Sequence, residues 1–209
     1  MEETKNLEES DTIELNKVLL NREWSLWENY ESKNKEKVDY SLLLKEIFSF
    51  NDIISFWQFW NNYPGSDLKK IFFNGNYISY FFKEKYRITA INIFQKGIRP
   101  EWEDKNNDKG NILTLGYSIK YDEIDEFLDK AIDLWENLVC ILIGENIPNS
   151  KYINGIRFVD KTKFGKNISI IFKYEIWVNK DMPEKGLDEL KEFCTTFFGC
   201  KGTIKPIKN

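Results

Sequence analysis

Apolar residues recur along this chain at two periods. Between positions 124 and 142, Ile124, Phe127, Leu128, Ala131, Leu134, Trp135, Leu138, Val139 and Leu142 return at three- and four-residue steps, the single stripe of an amphipathic helix. The spacing predicts a helix over Asp122 to Ile143, with acidic residues in the first turn, where the helix dipole favours them, and Gly144 as its stop. A shorter set at the same spacing, Ile53, Phe56, Trp57 and Trp60, follows Asn51 and Asp52, whose side chains suit an N-cap, and Pro64-Gly65 ends it. Pro183 opens a third helix running to about Phe198, with Gly199 just beyond it.

Elsewhere the apolar residues are aromatic or β-branched and come in short runs. Strands are expected at Trp24 to Tyr30, Leu43 to Phe50, within Ile71 to Ile93 with a hairpin turn at Asn74-Gly75, and at Ile153 to Val159, Ile168 to Phe172, Glu175 to Val178 and Thr203 to Ile207. Glu31 to Asp39 reads as a charged loop. Strands joined by hairpin-like connections and interleaved with three helices predict an α+β domain, its helices on one face of a mainly antiparallel sheet. Residues 1–16 are acidic and poor in aromatics, which predicts a flexible tail before a single domain over 17–209.

Composition narrows the chemistry. With 209 residues, 42% hydrophobic and 16% aromatic, the chain can bury one sizeable core. It contains no histidine, which removes the commonest general base and the usual zinc sites, and its three cysteines, Cys140, Cys194 and Cys200, have no metal-ligand spacing. Catalysis would have to rest on carboxylates or lysines, and no cofactor is expected. A net charge of −4 means that any nucleic-acid contact must be local. No apolar run is long enough to span a membrane and no signal-peptide pattern opens the chain, so a cytoplasmic or nuclear location is expected.

One loop carries more information than its composition. In Gly97-Ile-Arg-Pro-Glu-Trp102-Glu-Asp, a tryptophan stands beside two acids, between a proline and a polar run ending at Gly110. Such a residue is either a loop anchor or a binding surface. Taken in order, Trp24-x-x-Trp27, Phe56-Trp57, Gly97-Ile98-x-Pro100-x-Trp102-Glu103-Asp104 and Leu142-Ile143-Gly144-Glu145 resemble the translation initiation factor 4E family, the messenger RNA cap-binding proteins. The resemblance runs from about Val18 to Ile204.

That resemblance implies a curved, mainly antiparallel sheet with three helices on its convex face and a cap-binding slot on the concave side. Trp102 would be one jaw of an aromatic sandwich around 7-methylguanine, and Glu103 would accept from the N–H groups of the guanine edge. Tyr40 falls at the second jaw, with Tyr30 as the alternative. Methylation makes the base cationic, so stacking between aromatic faces gains a cation–π contribution of up to roughly 2 kcal/mol. The triphosphate would meet Lys161, Lys163 and Lys166, with Arg157 contributing from the same strand face as Lys161. Ile171 or Phe172 occupies the place of the tryptophan that closes over the methyl group in many members.

On the convex back, the resemblance implies a patch of Trp57, Ile53, Asn137, Cys140 and Gly144 that receives a scaffold of the initiation factor 4G type, or a repressor, through a helical Tyr-x-x-x-x-Leu-hydrophobic motif. The expected role is to bind capped mRNA and link it to that scaffold in translation initiation. The alternatives are a cap-binding repressor and a fold relative without cap binding. A decapping enzyme is disfavoured, because the acidic helix at Asp122 lacks a glycine-led metal motif.

Overall fold

Strand β1, Leu19–Ser32, is the longest among the described residues and extends the expected strand at both ends. Glu31, expected in a loop, stays in the ladder opposite Arg87 and forms an ion pair with it at 2.7 Å. The structure is a computed structural model that describes residues 18–32, 43–69, 81–82, 86–119, 123–162 and 170–207. The tail at 1–16, the turn at Asn74-Gly75, and Tyr40, Lys163 and Lys166 lie outside the described residues.

After β1 come β2, Leu44–Asp52, and α1, Ile53–Trp60. The Asp52 carboxylate accepts hydrogen bonds from the backbone N–H and the hydroxyl of Ser55, at 2.8 and 2.7 Å, and so caps the helix as its sequence position predicts. Then follow β3, Phe81–Phe82, and β4, Tyr86–Gln95, and β5, Asn111–Ile119. The remainder is α2, Ile124–Ile143, then β6, Ile153–Asp160, β7, Ile170–Val178, α3, Glu184–Phe198, and β8, Thr203–Pro206. Gly199 ends α3 at φ +67°, a left-handed conformation that glycine adopts without strain.

The strands form one curved antiparallel sheet in the order β2-β1-β4-β6-β7-β5-β8, with β3 on β4. Two expectations are corrected. β5 was not foreseen, although Leu113 and Leu115 face the core at a two-residue period and Ile119 continues it. The two strands expected at Ile168 to Phe172 and Glu175 to Val178 are one. Lys173 and Glu175 lie on the opposite face of β7 from buried Phe172, Tyr174 and Ile176.

The main core lies between that apolar face and the helices. Trp24 and Leu26 of β1, Ile91 and Ile93 of β4, and Ile156 and Phe158 of β6 are buried with Leu128, Ala131, Trp135 and Leu138 of α2. The Tyr174 hydroxyl donates to the Ala131 carbonyl at 2.8 Å, which joins sheet to helix through a satisfied polar group. With one face covered by helices, the other is free to carry a site.

Candidate functional site

Strand alternation sets the floor of that site. On β4, β6 and β7 the residues between the core positions point away from the helices, and the ladder aligns Trp27, Asn92, Arg157 and Glu175 across four strands. Asn92 Nδ2 donates to the Trp27 carbonyl at 3.2 Å and to Asn29 Oδ1 at 2.8 Å, while Arg157 Nε donates to Asn92 Oδ1 at 2.7 Å. Arg157 Nη1 lies 3.4 Å from Glu175 Oε2, and the same oxygen accepts from Trp177 Nε1 at 3.1 Å. Burial lowers the pKa of the Arg157 guanidinium, and the Glu175 carboxylate opposes that shift.

A second, smaller apolar cluster anchors the loop beside this floor. Phe94, Ile98, Trp177 and Ile207 are buried together, with the Phe94 and Trp177 rings edge to face at 5.6 Å. Gly155 makes room for them: a Cβ there would fall 2.4 Å from the Phe94 ring. Ile98 belongs to this cluster and begins the loop that carries Trp102. Asp104 Oδ2 accepts from the Arg99 N–H at 2.9 Å and Asp104 Oδ1 from the Asn106 N–H at 2.8 Å. The buried Asn107 Nδ2 donates to the carbonyls of Arg99 and Glu101, at 2.8 and 2.7 Å. Arg99 pairs with Glu101 at 2.7 Å and lies 5.6 Å from the Trp27 ring, so the loop is tied to β1 as well.

A cleft of about 590 Å³ opens between this loop and the far end of β1. Pro100, Glu101, Trp102 and Glu103 line one side, Asn29, Tyr30, Leu43 and Leu44 the other, and Thr89, Ala90, Arg157, Val159, Lys161 and Trp177 the base. Trp102 is 50% exposed, whereas Trp24, Trp27, Trp60, Trp135 and Trp177 are buried. Among the described residues, neither the Trp102 backbone N–H nor the Glu103 carboxylate is engaged in a hydrogen bond. The cleft therefore presents a bare indole face, a free carboxylate beside it and lysine at its base. No group of three His, Cys, Asp or Glu side chains among the described residues is placed to hold a metal.

The structure brings Trp102, Glu103, Lys161 and Arg157 to this one cleft, together with Tyr30. The Tyr30 hydroxyl donates to Glu28, and the Lys45 ammonium stands 5.2 Å from its ring centre. Burial, reinforced by the Glu28 carboxylate, raises the Tyr30 pKa, so its ring stays a neutral phenol. Two further residues were missed by sequence reasoning. Trp177 lines the cleft, whereas Phe172 is buried in the main core on the other face. Lys173 pairs with Val159, a cleft residue, and so leaves the sheet on the cleft side. The signal for both was the alternation Phe172, Lys173, Tyr174, Glu175, Ile176, Trp177, legible only once β7 is read as a single strand.

On the helical side, Ile53 is 37% exposed, Trp57 is half-buried with its ring edge-on to Phe56 at 5.0 Å, and Asn137 and Gly144 are exposed. Cys140 is half-buried, and burial with the neighbouring Glu136 carboxylate raises its thiol pKa. The Ile53 N–H donates to the Val18 carbonyl at 3.0 Å, bringing exposed Val18 and Leu19 alongside α1. Arg22 pairs with Glu145 at 2.7 Å, which ties the end of α2 to the same strand.

Comparisons agree with this geometry. The family model described as "Eukaryotic initiation factor 4E" matches residues 19–204. Eukaryotic translation initiation factor 4E of Candida albicans is 30% identical over 138 residues, 66% of this chain and 56% of that protein. The Saccharomyces cerevisiae protein of the same name is 28% identical over 166 residues, 79% and 63% of the two chains. The match thus spans about half to two thirds of the length of these relatives. Among solved structures, Ascaris suum eIF4E-3 in complex with an m2,2,7G cap superposes with a TM-score of 0.62 at 19% identity, covering 92% and 93% of the chains. Caenorhabditis elegans eIF4E-3 with the 4E-binding protein Mextli gives 0.62 at 16% identity, covering 90% and 93%. With its sheet, its helices and its tryptophan loop all in the matched span, this chain belongs to the eukaryotic initiation factor 4E family.

Proposed function

We propose that the cleft binds the 7-methylguanosine 5′ cap of mRNA and that the helical face links the bound cap to a scaffold protein in translation initiation. The observation that carries this reading is the half-exposed Trp102 ring with the free Glu103 carboxylate beside it, both facing a cleft with Lys161 at its base. A cationic 7-methylguanine stacks on the indole, the Glu103 oxygens accept from the ring N–H and exocyclic amine, and the Trp102 N–H donates to the guanine carbonyl. Adenine presents the wrong pattern to Glu103. Tyr40 forms the facing aromatic wall, because the Tyr30 ring packs against the main core, and Trp177 takes the methyl side that Ile171 or Phe172 was expected to fill.

Lys161, Lys173, Lys163 and Lys166 receive the triphosphate. On the helical face, Ile53, Trp57, Asn137, Cys140 and Gly144 accept an amphipathic partner helix. Residues 17–209 act as a single binding domain without catalytic groups, in the cytoplasm. Capture on 7-methyl-GTP resin tests the reading. Free 7-methyl-GTP should elute the protein and GTP should not, and a Tyr-x-x-x-x-Leu-hydrophobic peptide should be retained with wild type but not with Trp57→Ala. Elution by both nucleotides alike would overturn cap recognition, and peptide retention by Trp57→Ala would overturn the helical-face assignment.

A further inference from the structure

Arg157 was expected to meet the cap's phosphates, yet in the fold its guanidinium is engaged on three sides. Its Nε donates to Asn92 Oδ1, its Nη1 faces Glu175, and its Cζ lies 5.3 Å from the centre of the Trp177 ring. Only 18% of the Arg157 side chain and 14% of that of Glu175 are exposed. A planar guanidinium can bridge an amide oxygen, a carboxylate and an aromatic face at once, which an ammonium cannot. The one carboxylate also holds the Trp177 indole N–H, so charge pair and ring form a closed unit beneath the cleft.

Resting on the cap-binding reading above, we propose that Arg157 and Glu175 are positioning residues that fix the Trp177 ring and the floor of the cleft, and that Arg157 is not a phosphate ligand. The unit reaches the opposite wall through Asn92, whose amide nitrogen holds the Asn29 side chain. Floor and wall are thereby set before a ligand enters, and preorganisation of this kind contributes equally whether or not phosphates are attached to the base. Lys161 and Lys173 remain as the described cations that meet the phosphates.

Titration of Arg157→Lys and Glu175→Gln with 7-methylguanosine and 7-methyl-GTP, followed by tryptophan emission, separates the two roles. A positioning role predicts that Arg157→Lys weakens nucleoside and triphosphate by the same factor, roughly fivefold for a lost hydrogen bond, with a shifted emission maximum. Glu175→Gln should likewise weaken both ligands. A phosphate ligand would behave in the opposite way. Arg157→Lys would then retain triphosphate binding, and Glu175→Gln, by freeing the guanidinium, would strengthen it; either result overturns the proposal. Thermal unfolding of each variant identifies one that fails to fold, and the other then decides. Failure of the wild-type protein to bind either ligand would instead sink the cap-binding reading itself.

Discussion

Trp102 keeps half its surface in water while Trp177, at the base of the same cleft, is 3% exposed. Leaving an indole in water forgoes burial worth about 2 kcal/mol, which a stacked base recovers. The loop does not need this side chain to hold its shape, because Ile98, Asp104 and Asn107 provide its anchors. Trp102→Ala should therefore weaken 7-methyl-GTP by about 2 to 3 kcal/mol, or roughly 30- to 150-fold in Kd, while leaving the unfolding free energy within about 0.5 kcal/mol of wild type. Isothermal titration and urea unfolding measure the two quantities, and a large loss of stability would make Trp102 a loop anchor instead. Lys161→Ala should weaken the triphosphate more than the nucleoside, the difference shrinking as salt is raised.

At the scale of elements, local signals are strongest where one side chain decides the backbone. The Asp52 carboxylate takes two donors from Ser55, so Asp52→Ala should destabilise the protein by about 1 kcal/mol. Urea unfolding at unchanged m-value is the check, and a loss near zero would mean that packing of Phe56 and Trp60, not the cap, starts α1. The same locality made the helices legible from sequence, together with the loop of Trp102 and Glu103, whose motif is contiguous. Trp177 and Lys173 were not legible, because their place depends on which residues of β6 they face. That register is set by the antiparallel pairing of β6 with β7 and by the shift between Ile153 and Gly155. β5 was missed although Leu113 and Leu115 alternate correctly, since Gly116 interrupts the run and the flanking polar residues resemble a continuing loop.

At the scale of the molecule, one sheet serves two surfaces. Its apolar side packs on α2, while its other side carries a small separate cluster, Phe94, Ile98, Trp177 and Ile207, that supports the cleft. A chain of net charge −4 nevertheless places Lys161 in that cleft and Lys173 opposite the cleft residue Val159, so any attraction for a phosphate must be local. The most direct test of the central claim is a tryptophan fluorescence titration of the intact protein with 7-methyl-GTP and GTP in parallel. Saturable quenching at micromolar or lower 7-methyl-GTP, with GTP at least about tenfold weaker as a lost cation–π contribution requires, is the predicted result. An equal response to both nucleotides, or none to either, would contradict it.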